Sequence, residues 1–309
     1  MKAFVFSGQG SQKEGMGQAL ASANRAAAQI YEEASDTVGL DVLNLSEQQL
    51  QQTNYAQLAI VVMSLASWAS YSQAVDNYID NDLSTSAYAG FSLGEYSALG
   101  ACRVLKLPQL LKLISVRAGL MQEAALKQPG SMYAVIGMSE SLIDDLLLQP
   151  DYRDRVFPVN YNCPGQLVIS GAAEYTDRAA DDLKSAGARR VVKLNVNGAF
   201  HTPYMSEAAE ELKKYAGKLE FAKPFGLIYS NKDAALVPSG VDWPQRLYDH
   251  MCSPVRWSSE ILAMREDGFC QFIEFGYGRV LTGLIRKIDR GLIAAAVEDP
   301  DTLAAALKI

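Results

Sequence analysis

The chain is poor in several things that would each point to a function. It has four cysteines in 309 residues, Cys102, Cys163, Cys252 and Cys270, and no two share a C-x-x-C spacing. That excludes a zinc-finger pattern and a disulfide framework and leaves small, reduced, mostly buried thiols. Positive charge is in deficit. Lys and Arg number 28 against 35 Asp and Glu, a net charge of −7, which argues against a general nucleic-acid or anionic-membrane surface. No stretch is expected to supply the ~20 apolar residues of a bilayer span. The nearest, "YAQLAIVVMSLASWASYSQA" (55–74), is apolar nearly all round but interrupted by Ser, Gln and Tyr, so it reads as a buried helix. "MKAFVFSGQGSQ" carries too short an apolar run for a signal peptide before its glycines and glutamines begin. The expectation is a soluble, cytoplasmic monomer. Histidine is scarcest of all: His201 and His250 are the only two.

What is present reads as α/β. "AFVF" (3–6) is a short buried strand, followed by the turn "SGQGSQ" (7–12). "TSAYAG" (85–90) is a strand, "LGEYSALGACRVL" starts a helix, and "LPQLLKLISVRAGLMQEAA" (107–125) is an amphipathic helix with Pro108 in its first turn. The pattern then changes. "GSMYAVIGM" (130–138) is a strand, and "SESLIDDLLLQ" (139–149) a helix capped by Ser139. "RVFPVNYN" (155–162) and "QLVISG" (166–171) form a hairpin across "CPG". "EYTDRAADDLKSAG" (174–187) is a helix closed by Gly187, and "ARRVVKLNV" (188–196) a last strand. The order β-α-β-β-α-β describes a self-contained ferredoxin-like unit. It is expected over 128–198, inserted in a larger α/β core made of 1–127 and 199–309.

Chemistry concentrates first in Gly90-Phe91-Ser92-Leu93-Gly94. A serine on a sharp strand-to-helix turn needs small residues two positions either side, and the turn lifts its hydroxyl out of the sheet. The Leu93 N–H, at a helix start, can then donate to a developing oxyanion. A base must be one of the two histidines. His201 lies in "NGAFHTPYM", where the chain re-enters the core, and His250 in "RLYDHMCSPVRW". An imidazole in this role needs its second nitrogen held by an acceptor, which a backbone carbonyl can provide.

With these residues in view, the chain resembles a known family. "FSGQGSQ", "GFSLGEYSAL", "SVRAGLMQ", "VNYNCPGQLVISG", "GAFHTPYM", "YSN" and "SPVRW" follow one another as in malonyl-CoA:acyl carrier protein transacylases and the acyltransferase domains of polyketide synthases. The resemblance runs over nearly the whole chain. It implies an α/β-hydrolase-like core with a ferredoxin-like insert, Ser92 as nucleophile, His201 as base, and the N–H groups of Gln9 and Leu93 as oxyanion hole. Arg117 would hold the free malonyl carboxylate, since a guanidinium fork suits a planar carboxylate. Met121 and Gln122, about one turn on, Phe91, Phe200, Asn160, Asn162 and His250 would line or border the substrate site. Two positions depart from the family pattern: Phe91 stands where His is usual, and His250 where Gln is usual, as though a histidine had moved between walls of the site. Phe200 argues for a small group on malonyl C2.

The resemblance implies a ping-pong cycle with no metal and no redox cofactor, malonyl-CoA as donor and an acyl carrier protein as acceptor. Carrier proteins are acidic, so a net-negative enzyme needs a basic rim. Arg189-Arg190 and Arg286-Lys287 are the candidates. The alternatives are a trans-acting polyketide synthase acyltransferase for a 2-substituted malonyl extender unit, with a CoA- or carrier-linked donor, a serine hydrolase, and a non-catalytic docking subunit. The hydrolase would want an acid between Ser92 and His201. Asp177, Asp181 and Asp182 fall there, on a helix whose pattern turns them to solvent.

Overall fold

The structure is a computed structural model that describes residues 1–76 and 83–309. Its strands in chain order are β1 (Lys2–Phe6), β2 (Ala87–Gly90), β3 (Gly130–Ile136), β4 (Val156–Cys163), β5 (Gln166–Ala172), β6 (Arg190–Lys193), β7 (Leu227–Ser230), β8 (Ala235–Leu236), β9 (Gln271–Phe275) and β10 (Ile293–Val297). They form two sheets. The larger has the order β10-β9-β1-β2-β7-β8, parallel from β10 through β7 with β8 antiparallel at the edge. The smaller is antiparallel with the order β4-β5-β3-β6. The βαββαβ segment from Gly130 to Lys193 supplies all of the smaller sheet. Its elements fall where the sequence pattern puts them, except that the last strand stops at Lys193, short of Val196.

A parallel sheet covered on both faces needs apolar residues at every position, and Ala3 to Phe6 are fully buried. The two faces differ in size. Phe4, Phe6, Tyr88 and Phe275 pack with Trp68 and Tyr71 in an aromatic cluster of 4.9–6.4 Å centroid spacings. Ala3, Val5, Ala87 and Ala89 lie on the other face, where small side chains admit Trp257, Phe269 and Phe272. Trp68 and Tyr71 come from the helix Thr53–Asp76, which is buried as its pattern indicates; only the expectation that no stretch would be long and apolar enough for a bilayer span needs correction. Thr53–Val75 is long and apolar enough to cross a bilayer, but 78% of its most apolar window is buried inside the protein. The few serines and glutamines did not shorten it, because Ser67 and Ser70 return their hydroxyls to carbonyls one turn back.

The sheet puts the chemistry at its carboxyl end. From β1 the chain moves one way to β2, and it comes back on the other side as β9, so loops leave that end in opposite directions and open a crevice. The helix Leu93–Ala101 returns from β2 across β1 at very short range. A Cβ on Gly94 would lie 2.0 Å from the Phe6 carbonyl oxygen, and one on Gly90 would lie 1.9 Å from the Gly94 carbonyl carbon. Backbone cannot yield at such distances, so both glycines are steric requirements.

Gly94→Ala is therefore expected to cost about 3 kcal/mol or more. Gly119→Ala, at a helical position with no atom within 4 Å of the added carbon, should stabilise by about 0.5–1 kcal/mol. Urea midpoints check both, and a neutral Gly94→Ala would contradict the packing described.

Candidate active site

Ser92 sits at the elbow between β2 and the helix Leu93–Ala101, with φ 50° and ψ −108°. A non-glycine residue there is strained, and the strain exposes the side chain. Ser92 Oγ is 2.7 Å from His201 Nε2, across 109 residues of sequence. His201 also has a positive φ, 61°. Its Nδ1 lies 3.2 Å from the His250 carbonyl oxygen and 3.1 Å from that of Ser253. Carbonyl oxygens only accept, so Nδ1 carries the proton and Nε2 presents its lone pair to the Ser92 hydroxyl. Among the described residues no carboxylate takes part. Asp177 is instead hydrogen-bonded to Ser131, Tyr133 and Lys193, and Asp182 to Tyr152. Burial, helped by the Arg117 charge, pulls the His201 imidazole down from 6.5 to about 4. It is neutral and ready to accept a proton at neutral pH.

The dyad opens on a cavity of about 1360 Å³ lined by Gln9, Phe91, Ser92, Arg117, Met121, Gln122, Asn160, Asn162, Phe200 and His201. The β1 loop closes against the elbow, since a Cβ on Gly8 would meet the Phe91 carbonyl at 2.4 Å. Among the described residues the N–H groups of Gln9 and Leu93 have no protein acceptor. Phe91 turns its ring edge to Trp257, 5.7 Å away. Asn160 and Asn162 are buried on β4, and among the described residues the side-chain oxygen of each lacks a partner.

Arg117 lies on the helix Leu107–Lys127 and is 1% exposed. Its Nη1 donates to Gln57 Oε1 at 2.7 Å, its guanidinium carbon lies 5.0 Å from the centre of the Tyr96 ring, and its Nε is unpartnered among the described residues. Among the described residues no acidic side chain pairs with it. A buried cation without a counter-ion is costly and is the arrangement an anionic ligand completes.

His250 needs correction as a substrate contact. Its ring is 3% exposed, lies outside the cavity lining, and packs 5.5 Å from Tyr96 and 5.6 Å from His201. The helix Trp243–Cys252 turns the side chain inward, so only the carbonyl serves the site, and no histidine has moved from wall to wall. Of the basic pairs, Arg189 and Arg190 are exposed, and Arg190 shares a register row with Ile136 and the cavity-lining Gln166. Lys287 is close enough to Cys163, at the same hairpin, for its charge to act on that thiol. Arg286 turns the other way and donates to the Ala294 carbonyl on β10.

Sequence reasoning missed Gln57, Glu95, Asn231 and Glu260. Gln57 was visible as a polar residue in an apolar run, and Asn231 stood within "YSN"; neither signal named a partner. Among the described residues no three His, Cys, Asp or Glu side chains converge to hold a metal ion.

Comparison with known proteins decides the family. The acyl transferase domain family matches residues 3–290. The chain belongs to that family. It is 33% identical over 311 residues to the malonyl CoA-acyl carrier protein transacylase of Bacillus subtilis, covering 99% of this chain and 96% of that one. It is 35% identical to the corresponding Haemophilus influenzae protein over 301 residues, covering 96% and 95%. Among solved structures, a malonyl-transacylase in complex with a type II polyketide synthase acyl-carrier protein superposes with a TM-score of 0.92 at 37% identity, covering 99% of both chains. An acyl-carrier-protein S-malonyltransferase from Burkholderia pseudomallei gives 0.93 at 31%, covering 100% and 99%.

Only neutral His201 can take the serine proton. The rate constant for Ser92 acylation should therefore rise with pH through about 4 and be level above about pH 5. Arg117→Ala removes a charge that lowers the His201 pKa, so its acid limb should move up towards 6.5. Pre-steady-state acylation across pH measures this, and an unshifted limb in the variant would contradict the electrostatic coupling.

Proposed function

We propose that this member of the acyl transferase domain family moves a malonyl group from malonyl-CoA to the phosphopantetheine thiol of an acyl carrier protein. One observation carries the reading: a buried arginine without an acidic partner among the described residues faces the same cavity as a serine already hydrogen-bonded to a neutral imidazole. A neutral acyl group would leave that cation uncompensated, whereas a diacid thioester satisfies both ends of the cavity.

Ser92 Oγ attacks the thioester carbonyl while its proton passes to His201 Nε2. The N–H groups of Leu93 and Gln9 receive the oxyanion, Leu93 at the positive end of its helix. As the tetrahedral adduct collapses, the C–S bond breaks and the CoA sulfur takes the proton from His201. The malonyl-serine ester keeps its carboxylate on Arg117. The carrier thiol then gives its proton to His201, attacks the ester and leaves as malonyl-carrier, restoring the Ser92 hydroxyl. Nothing in the cycle calls for a metal or a redox cofactor. Met121 and Phe200 bound the acyl pocket, and the ring of Phe200, folded over Gly198, restricts it to a small C2 substituent. The free side-chain oxygens of Asn160 and Asn162 suit the amide N–H groups of a pantetheine arm.

The finer architecture fits the same reading. The strand order β4-β5-β3-β6 with two crossing helices supports a ferredoxin-like unit over 128–198, and the mainly parallel sheet with a serine elbow supports an α/β-hydrolase-like core from 1–127 and 199–309. We place the enzyme in the cytoplasm as a monomer. A polyketide role changes only the carrier protein and the C2 group. It is favoured by the 37% identity to the transacylase solved with a polyketide carrier. Profiling donors and carriers separates the two readings, and dominant loading of a 2-substituted malonyl donor would favour the second.

Arg117→Ala should lower the malonyl-to-acetyl loading ratio about a hundredfold, the worth of a buried charge-assisted pair. Intact-protein mass spectrometry after mixing with each CoA ester gives the ratio; an unchanged value would remove the carboxylate role. For the carrier, Arg189, Arg190 and Lys287 flank the hairpin that borders the cavity. Charge reversal there should raise the carrier KM several-fold at low salt and leave malonyl-enzyme formation as it was. An unaltered KM would dispose of the basic rim.

A further inference from the structure

Behind the elbow lies a buried polar network that the transfer cycle does not use. Its centre is Asn231, 1% exposed, immediately after β7. The Asn231 side-chain oxygen accepts from the Ser92 N–H at 2.8 Å. Its Nδ2 donates to the Gly90 carbonyl at 2.7 Å and to Glu260 Oε2 at 2.7 Å. Its backbone N–H donates to Glu95 Oε2 at 3.0 Å, and its carbonyl accepts from the Arg256 N–H at 3.0 Å. An asparagine side chain has two donor hydrogens and one acceptor oxygen, and here all are engaged.

The placement matters more than the count. β2 and β7 pair in register at Ala87–Leu227 and Tyr88–Ile228. Beyond those pairs β2 must bend into the elbow, where a straight strand can no longer reach it. The Asn231 side chain takes over from the missing strand and grips the peptide groups on both sides of Phe91. The second of them, between Phe91 and Ser92, is the peptide whose orientation sets the φ of 50° at Ser92. Glu260, on the helix Trp257–Glu266, fixes which way the amide faces. Glu95, from the elbow's own helix, ties that helix to the same residue.

We propose that Asn231 is a positioning residue for the nucleophile: its side chain holds the strained elbow so that Ser92 Oγ meets His201 Nε2, and Glu260 orients the Asn231 amide for that task. The proposal rests on Ser92 being the nucleophile, and it deepens the reading above by naming what maintains the geometry.

The test uses a fluorophosphonate, which reports the reactivity of a serine whatever its natural acyl group, beside malonyl-CoA. In Asn231→Asp the oxygen can still accept from Ser92, but both donations are lost and the Gly90 carbonyl faces another oxygen. The rate constant for labelling by either reagent should fall about a hundredfold, as for a misplacement of about 1 Å. The labelled end point should stay full, and malonyl-CoA affinity, measured in a Ser92→Ala background, should be unchanged. Glu260→Gln keeps an acceptor for the amide and should stay within about threefold of the parent. The double variant Asn231→Asp/Glu260→Gln exchanges donor and acceptor and should label faster than Asn231→Asp alone. Glu260→Leu frees the amide to turn and should lose about tenfold, a reading that stands even where Asn231→Asp does not fold. Asn231→Asp labelling at the parental rate would overturn the proposal. So would a reduced end point with the parental rate constant, the mark of a folding defect only. A double variant no faster than the single would remove Glu260 from it. Failure of the malonyl reading looks different: the parent would react with the fluorophosphonate and not with malonyl-CoA.

Discussion

The 2.7 Å contact between Ser92 Oγ and His201 Nε2 exists only because two backbones are held where side-chain-bearing residues seldom go. Ser92 and His201 both have positive φ, each at a cost of order 1–3 kcal/mol. Neither conformation is stable by itself. The elbow persists because glycines on both sides of Ser92 let its helix lie almost on the β1 backbone, a contact any Cβ would break. His201 persists because two carbonyls converge on Nδ1. The strain is stored in two places far apart in sequence, and its relief at either place would separate the pair.

Charge is arranged by the same geometry. Glu95 and Tyr96 are adjacent in the Leu93–Ala101 helix, and a turn of about 100° between neighbours sends them to different sides. The Tyr96 ring faces Arg117, while the Glu95 carboxyl reaches Asn231. Burial pushes Glu95 up to about 7 and Glu260 well above the carboxylate range. His250 lies 3.7 Å from Glu95, but its buried ring is pushed firmly towards neutral. The acids are thus kept on the scaffold side of the elbow and the arginine on the cavity side. Were Glu95 paired with Arg117, the enzyme would carry its own competitor for a substrate carboxylate.

Much of this was legible in the residues. The βαββαβ order, the boundaries of its hairpin and the Ser139 cap follow from period-2 alternation and turn chemistry, which are local. Ser92 stood out because the steric demand of its turn is written within five residues. Arg117, His201 and Gln9 were named through resemblance, and the structure brings them to one cavity. What was illegible is whatever depends on where a helix points after folding. His250 occupies an inward position that no spacing revealed. Gln57 meets Arg117 across 60 residues, and Asn231 meets Ser92 across 139. A polar residue in an apolar run announces that it has a partner; only the tertiary structure says which one. The helix Thr53–Asp76 was legible as a buried helix from its all-round apolar composition, although Thr53–Val75 is also long and apolar enough for a bilayer span.

The smaller sheet does more than roof the cavity. Its strand β4 makes a parallel bridge to the core at Val255: the Tyr161 N–H donates to the Val255 carbonyl and the Val255 N–H to the Val159 carbonyl. Val255 lies two residues after Ser253, one of the two carbonyls that orient His201. The same strand carries Asn160 and Asn162 into the cavity. One length of backbone therefore both lines the substrate path and anchors the segment that fixes the tautomer of the base. Movement of the smaller unit as a rigid body would pull on that bridge and so on the carbonyl behind His201. The smaller sheet and the proton-transfer geometry are for this reason one mechanical unit.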